Sequence, residues 1–190
     1  DVFAKCFRCG ASGVSFGDRY NPRTFLLPKA PEKGGGVGRI DFEIGSFPLV
    51  ALKWLRQYGI TNEEIVKYKI GFSFSMNRVI LPIFWGGEQV GYQARRIYDT
   101  DTGPKYITRN FGGGGCVIDG PSSDGGIVIV EDIISAIKVG RQQQTIAIMS
   151  TNITTKIQAF LSNYNKFWIW LDMDNPQVIR AAVKLLNSLR

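Results

Sequence analysis

Apolar residues first fall at helical spacing in PLVALKWLRQY, residues 48–58, where Leu49, Leu52 and Leu55, continued by Tyr58, share one face. Thr61 then stands where an N-cap belongs, with Glu63 and Glu64 in the first turn of a second helix that ends near Tyr68. Gly59 joins the two into a small helical hairpin. Further on the period changes. RVILPIF (78–84) and EQVGYQARRIY (88–98) are rich in β-branched and aromatic residues and are separated by Trp85-Gly86-Gly87, which predicts an antiparallel β-hairpin.

The last third changes character again. Continuous apolar runs at 127–130, 145–149 and 167–171 read as strands covered on both faces. Each is followed by a helical segment, over roughly 132–141, 154–162 and from Pro176 to the end, and Pro176 suits the first turn of a helix because its missing N–H is harmless there. Alternating strand and helix predicts a parallel, Rossmann-like α/β sheet. Near the start, Cys6 and Cys9 bracket a short knuckle, and the Gly- and Pro-rich stretch from Asn21 to Gly36 reads as linker. The expected organisation is a knuckle and linker (1–37), a mixed α+β segment (38–125) and the α/β domain (126–190), with no internal repeat.

Composition adds a partner class. The chain has 190 residues, 44% of them hydrophobic, which is enough for a core, and carries a net charge of +7. That balance favours an anionic partner such as nucleic acid, since phosphates attract Lys and Arg at long range. No apolar run approaches the roughly 20 residues that cross a bilayer, and these residues carry no charged-then-apolar stretch of the secretory type, so no secretory leader is expected. Three cysteines make no paired disulfide framework, so a reducing, cytoplasmic compartment is expected. The first residue is Asp1, so the sequence is expected to begin inside a longer reading frame.

Chemistry concentrates in the last third. Between Gly126 and Arg190 the acidic residues are Glu131, Asp132, Asp172 and Asp174, two adjacent pairs that each follow an apolar run. In open parallel sheets, ligands bind beyond the carboxyl ends of the strands. Glu131 follows the first strand there, and Asp172 and Asp174 follow the third. Carboxylates brought so close repel one another and call for a cation. Oxygen-only ligation suits Mg²⁺ or Mn²⁺, which accept substrate phosphates as further ligands and catalyse phosphoryl or nucleotidyl transfer. Asp132 reads instead as a helix N-cap. Upstream, Lys67 to Arg109 holds seven basic residues against three acidic ones, and Trp85, Tyr92 and Tyr98 are candidates for base stacking or, more commonly, core packing.

IVIVEDIISAIKVG, followed about forty residues later by FWIWLDMDNPQ, resembles the TOPRIM pattern of topoisomerases, primases and related nucleases. NRVILPIFWGGEQVGYQARRI and GPKYIT resemble the segment that precedes TOPRIM in bacterial and phage primases, and CFRCGASG resembles the second half of the zinc ribbon at primase N-termini. The order of the three motifs, covering most of the chain, is more specific than any one of them. The resemblance implies metal ligation and catalysis by Glu131, Asp172 and Asp174. It implies that Arg78, Arg95 and Lys105, with Arg96 and Arg109 as further candidates, hold template, primer or nucleotide phosphates. It implies a DNA primase that makes short RNA primers on single-stranded DNA from ribonucleotides, with a replicative helicase as a possible partner and no membrane.

The sequence departs from the bacterial pattern at several positions. Asp132 stands where Gly is usual, Ser135 where an Asp is expected, and Asn175-Pro176 where a small, Gly-containing turn follows the Asp-x-Asp. The chain also stops one helix after that motif. These departures fit a divergent phage branch acting in the host cytoplasm. Structural zinc wants four Cys or His ligands; there is no His, and Cys116 lies far from Cys6 and Cys9, so this half-site is expected to hold no zinc. Two alternatives stay open: a TOPRIM nuclease using the same acids, and a non-catalytic replication-accessory module. A topoisomerase is disfavoured, because no DNA-gate region accompanies the motifs.

Overall fold

The computed structural model describes residues 47–98, 100, 102–110, 112, 114–121, 125–150, 153–171 and 180. The Cys6–Cys9 knuckle, the linker, Asp172, Asp174 and the expected C-terminal helix lie outside the described residues.

The helical hairpin forms as α1 (Leu49–Gln57) and α2 (Asn62–Lys67). Ala51, Leu52 and Leu55 are buried, whereas Leu49, in the first turn and expected on the buried face, is 52% exposed. Thr61 completes a reciprocal capping box: its hydroxyl accepts from Glu64 N at 3.2 Å, and the Glu64 carboxylate accepts from Thr61 N at 2.8 Å. Two orphan N–H groups of α2 are thereby satisfied.

Four strands follow in an antiparallel sheet of order β1-β2-β3-β4: β1 (Gly71–Ser73), β2 (Arg78–Trp85), β3 (Glu88–Arg96) and β4 (Tyr106–Asn110). Gly86 and Gly87, with φ of 61° and 81°, supply the two left-handed residues that a tight β2–β3 turn needs. The expected second strand stops at Arg96, and Ile97 and Tyr98 pack on the core instead. β1 and β4 were not evident from periodicity.

The second sheet has the order β5-β7-β6-β8, built from β5 (Cys116–Ile118), β6 (Gly126–Val130), β7 (Thr145–Ala147) and β8 (Lys166–Trp170). β6, β7 and β8 run parallel, and β5 lies antiparallel against β7. The Rossmann-like parallel sheet preceded by a mixed α+β segment is therefore present. α3 (Ile133–Val139) connects β6 to β7, and α4 (Thr155–Leu161) connects β7 to β8. Asp132 caps α3 as expected, accepting from Ser135 N at 2.9 Å and from the Ser135 hydroxyl at 2.8 Å.

Strand alternation divides the core. Ile127 and Ile129 of β6 pack with Ile146, Ile157 and Leu161 on the α4 side. Val128 and Val130 point to the other side, where Ile133, Ile134 and Ile137 of α3 join a cluster that continues through Val79, Leu81 and Ile83 into α1 and α2. One core thus spans the antiparallel sheet and one face of the parallel sheet. At the seam, Cys116 Sγ accepts from Phe84 N at 3.4 Å and lies 3.7 Å from the Pro82 carbonyl oxygen. β8 departs from the expectation of a strand covered on both faces. Phe167 and Ile169 face the α4 core, whereas Trp168 and Trp170 are 44% and 65% exposed.

Candidate active site

The parallel register places Val130 of β6 beside Trp170 of β8, so both strands end at the same level. Glu131 is the next residue after β6. Its main-chain oxygen accepts from Met149 N at 2.8 Å, which fastens the carboxyl end of β6 to that of β7. Met149 holds a left-handed conformation, φ 53°, a strained state for a residue with a side chain, and one that clusters at functional turns. Glu131 is half-buried and its Oε2 atom is shielded from solvent. After β8, Leu171 is 6% exposed, and the next residue in sequence is Asp172. Among the described residues no three Cys, Asp or Glu side chains gather into a cation cage; Asp172 and Asp174 are not among them.

Tyr106 of β4 reports what surrounds Glu131. Burial pushes its phenol above the ordinary value, the Arg95 guanidinium pulls it down, and the charges of Asp132, Tyr58 and Glu131 push it up again. Among these charges Arg95 acts most strongly on the phenol and Glu131 least. Arg95 itself lies between aromatic rings, 4.5 Å from the Tyr106 centroid and 5.7 Å from that of Trp54, and Trp54 packs on Tyr58 at 4.7 Å. Its Nε and Nη1 are buried, with no hydrogen-bond acceptor among the described residues. Such a guanidinium is held by cation–π attraction. Lys105 Nζ lies 5.4 Å from the same Tyr106 ring.

The other basic candidates separate from this group. Arg78 and Arg96 are register partners across β2 and β3, and Arg109 pairs with Tyr92. Because alternate residues point to opposite faces, all three lie on the face away from Arg95. Arg78 donates to Pro104 O at 2.7 Å and Arg96 to Gly103 O at 2.6 Å, so both anchor the loop that carries Pro104 and Lys105. Arg109 is exposed. Of the aromatic candidates, Trp85 packs on Phe160 at 5.1 Å with Lys156 above it, and Tyr98 packs on the core, so both serve packing. Trp54, Tyr58 and Tyr106 were missed as site residues. Tyr106 stood inside the Pro-Lys-Tyr motif, whereas nothing in the periodicity of α1 singled out Trp54.

No protein-family model matches the sequence, and neither does any curated protein. Solved structures do match. A DnaG catalytic core superposes with a TM-score of 0.56 at 17% identity, over 74% of this chain and 60% of that one. The RNA polymerase domain of Mycobacterium tuberculosis primase DnaG gives 0.56 at 16% identity, over 73% and 63%. The fold is that of primase catalytic cores. The Escherichia coli primase catalytic core also matches, with a TM-score of 0.55 at 16% identity. A further match, at 0.54, is the M. tuberculosis domain in complex with a double-stranded DNA oligomer bearing a 6-nucleotide overhang. The chain spans about 60% of the length of the DnaG core. Among the described residues no helix is long and apolar enough to cross a membrane.

Proposed function

We propose that the chain is the metal-dependent core of a DNA primase, on a divergent phage branch, which makes short RNA primers on single-stranded DNA in the host cytoplasm. The observation that carries this reading is the fold shared with primase cores, in which Glu131, its Oε2 shielded from solvent, stands at the carboxyl end of β6. A buried carboxylate oxygen at the end of a parallel strand fits a hard divalent cation. Glu131, Asp172 and Asp174 would hold Mg²⁺ or Mn²⁺, and the bound ion would stabilise the attacking and leaving oxygens of nucleotidyl transfer.

In this reading Arg95 presents a guanidinium fixed by Trp54 and Tyr106 to nucleotide or template phosphate, with Lys105 adding a point charge beside it. Arg78 and Arg96 position the loop bearing Lys105, and Arg109 contacts strand phosphate from the other face. Residues 38–125 supply the nucleic-acid surface and 126–190 the metal site. Cys6 and Cys9 hold no zinc on their own. A replicative helicase is the expected protein partner.

The test is primer synthesis on a mixed-sequence single-stranded template with ribonucleotides and Mg²⁺ or Mn²⁺, comparing wild type with Asp172→Ala. Short RNA from wild type alone supports the reading. Degradation of the template without ribonucleotides would identify a nuclease. DNA binding by both proteins with no product from either would identify an accessory module.

A further inference from the structure

β8 carries a feature that the candidate metal site does not use. Lys166, Trp168 and Trp170 alternate with the half-buried Phe167 and Ile169, so the first three share one face of the strand. The β6 register pairs Val128 with Trp168 and Val130 with Trp170. The tryptophans therefore continue the face that α3 covers over β6, where Val128 and Val130 are 8% and 1% exposed. Among the described residues that cover ends past β6, and Trp168 and Trp170 are 44% and 65% exposed, with Lys166 exposed at the head of the row. Two indoles left in water on a regular strand are unusual, because a tryptophan this exposed forgoes most of the stabilisation its burial would give.

We propose that the Lys166–Trp168–Trp170 face of β8 is a base-stacking platform for single-stranded nucleic acid. Three observations favour that occupant over an apolar protein surface. The row begins with a cation, which meets a phosphate backbone and would be desolvated at cost in an apolar interface. The chain as a whole carries +7. The indoles are two strand positions apart, about 6.6 Å, close to twice the roughly 3.4 Å spacing of bases stacked in a duplex strand. Each ring thus takes one base of an unstacked strand, as on other rigid aromatic sheet surfaces that bind without reading sequence. Because β8 runs toward Asp172, the bound strand is led to the proposed catalytic carboxylates. The proposal rests on the nucleic-acid half of the function proposed above and not on primer synthesis.

The experiment is fluorescence anisotropy with a labelled oligothymidylate and with an abasic oligonucleotide of the same length and charge, without nucleotides or metal. Trp168→Ala and Trp170→Ala should each weaken oligothymidylate binding by about 5- to 150-fold. Trp170→Phe should recover most of the loss and Trp170→Leu should not. On the abasic strand the variants and wild type should bind alike. Both positions are exposed, so thermal melts of the variants should match wild type. Wild-type affinity in the alanine variants, or equal recovery by Leu and Phe, overturns the proposal. So does a change in sedimentation of the alanine variants with DNA affinity unchanged, which would assign the face to a protein contact. Loss of binding in the variants, together with a wild type that makes no primers, would keep the platform and remove the primase.

Discussion

Glu64 and Arg141 stand 77 residues apart in the chain and meet in a two-pronged ion pair, Nε to Oε1 at 2.7 Å and Nη2 to Oε2 at 2.9 Å. Arg141 Nη2 also donates to Gly59 O at 2.6 Å, in the bend between α1 and α2. The same Glu64 carboxylate accepts from Thr61 N in the capping box. One guanidinium just past α3 thus fixes the helical hairpin to the parallel-sheet unit, and Trp54, which packs on Arg95, rides on that hairpin.

Arg141→Ala should lower the unfolding free energy by about 1–2 kcal/mol, the scale of charge-assisted hydrogen bonds discounted for partial exposure. The discount applies because the Arg141 side chain is 34% exposed, against 12% for Glu64. Arg141→Lys should recover only part, because an ammonium cannot offer the parallel fork. Glu64→Gln keeps a capping-box acceptor and removes the charge, so it isolates the ion pair. Urea melts of the two single variants and the double variant should give a coupling near 1 kcal/mol; additive losses would mean that the pair contributes nothing of its own.

Cys116 lies at the seam of the two sheets, 0% exposed, and burial pushes its thiol up to about 12. The thiolate is the reactive form. The folded protein should therefore leave Cys116 unmodified by iodoacetamide at neutral pH, while the unfolded chain reacts there at once. Mass spectrometry of the peptide containing Cys116 reads this directly, and labelling under native conditions would show that the seam opens.

Tyr106 packs against the Arg95 guanidinium, and its ionisation should expose that contact. Its folded pKa is raised above the ordinary value of 10.0, burial being the largest cause. The native state then keeps the phenolic proton at pH values where the unfolded chain has lost it. The stability this contributes is whole below pH 10 and falls as pH climbs from there through the folded value. Tyr106→Phe should flatten that part of the stability profile. Because Arg95 lowers the phenol's pKa, Arg95→Ala should move it higher still. Phenolate absorbance, taken as the difference between each protein and its Tyr106→Phe counterpart, tests the shift. An unchanged titration in Arg95→Ala would separate the two side chains.

Much of this arrangement was legible in the residues. The N-caps at Thr61 and Asp132 and the three parallel strands of the last third follow from local chemistry and periodicity, which act over a few residues. The short strands β1, β4 and β5 did not, since GFS, YITRN and CVI hold no continuous apolar run like those that mark β6, β7 and β8. Arg95 was chosen as a phosphate ligand from its motif. Its aromatic surroundings depend on the packing of α1 against β3 and β4, which no local spacing records. Arg95 and Arg96 are neighbours in sequence, yet one residue of register puts them on opposite faces. The exposure of Trp168 and Trp170 was hidden for a related reason. An apolar run reads as doubly covered whether its strand is central or, like β8, at the end of the order among the described residues.

Glu131→Gln is the sharpest test, within the described residues, of the proposed metal site. The substitution keeps size and hydrogen-bonding reach while removing the charge that a divalent cation needs. Primer synthesis should fall by at least about 100-fold, since even the outer partners of metal ligands are worth 10- to 100-fold. Affinity for single-stranded DNA should stay at the wild-type level or rise, because a negative charge beside a phosphate-binding surface has gone. Raising Mg²⁺ or Mn²⁺ should stabilise wild type and leave Glu131→Gln nearly unmoved, because only a state that binds the ion gains from it. Wild-type primer yield from Glu131→Gln would remove Glu131 from the catalytic set. Equal stabilisation of both proteins by the metal would place the ion elsewhere.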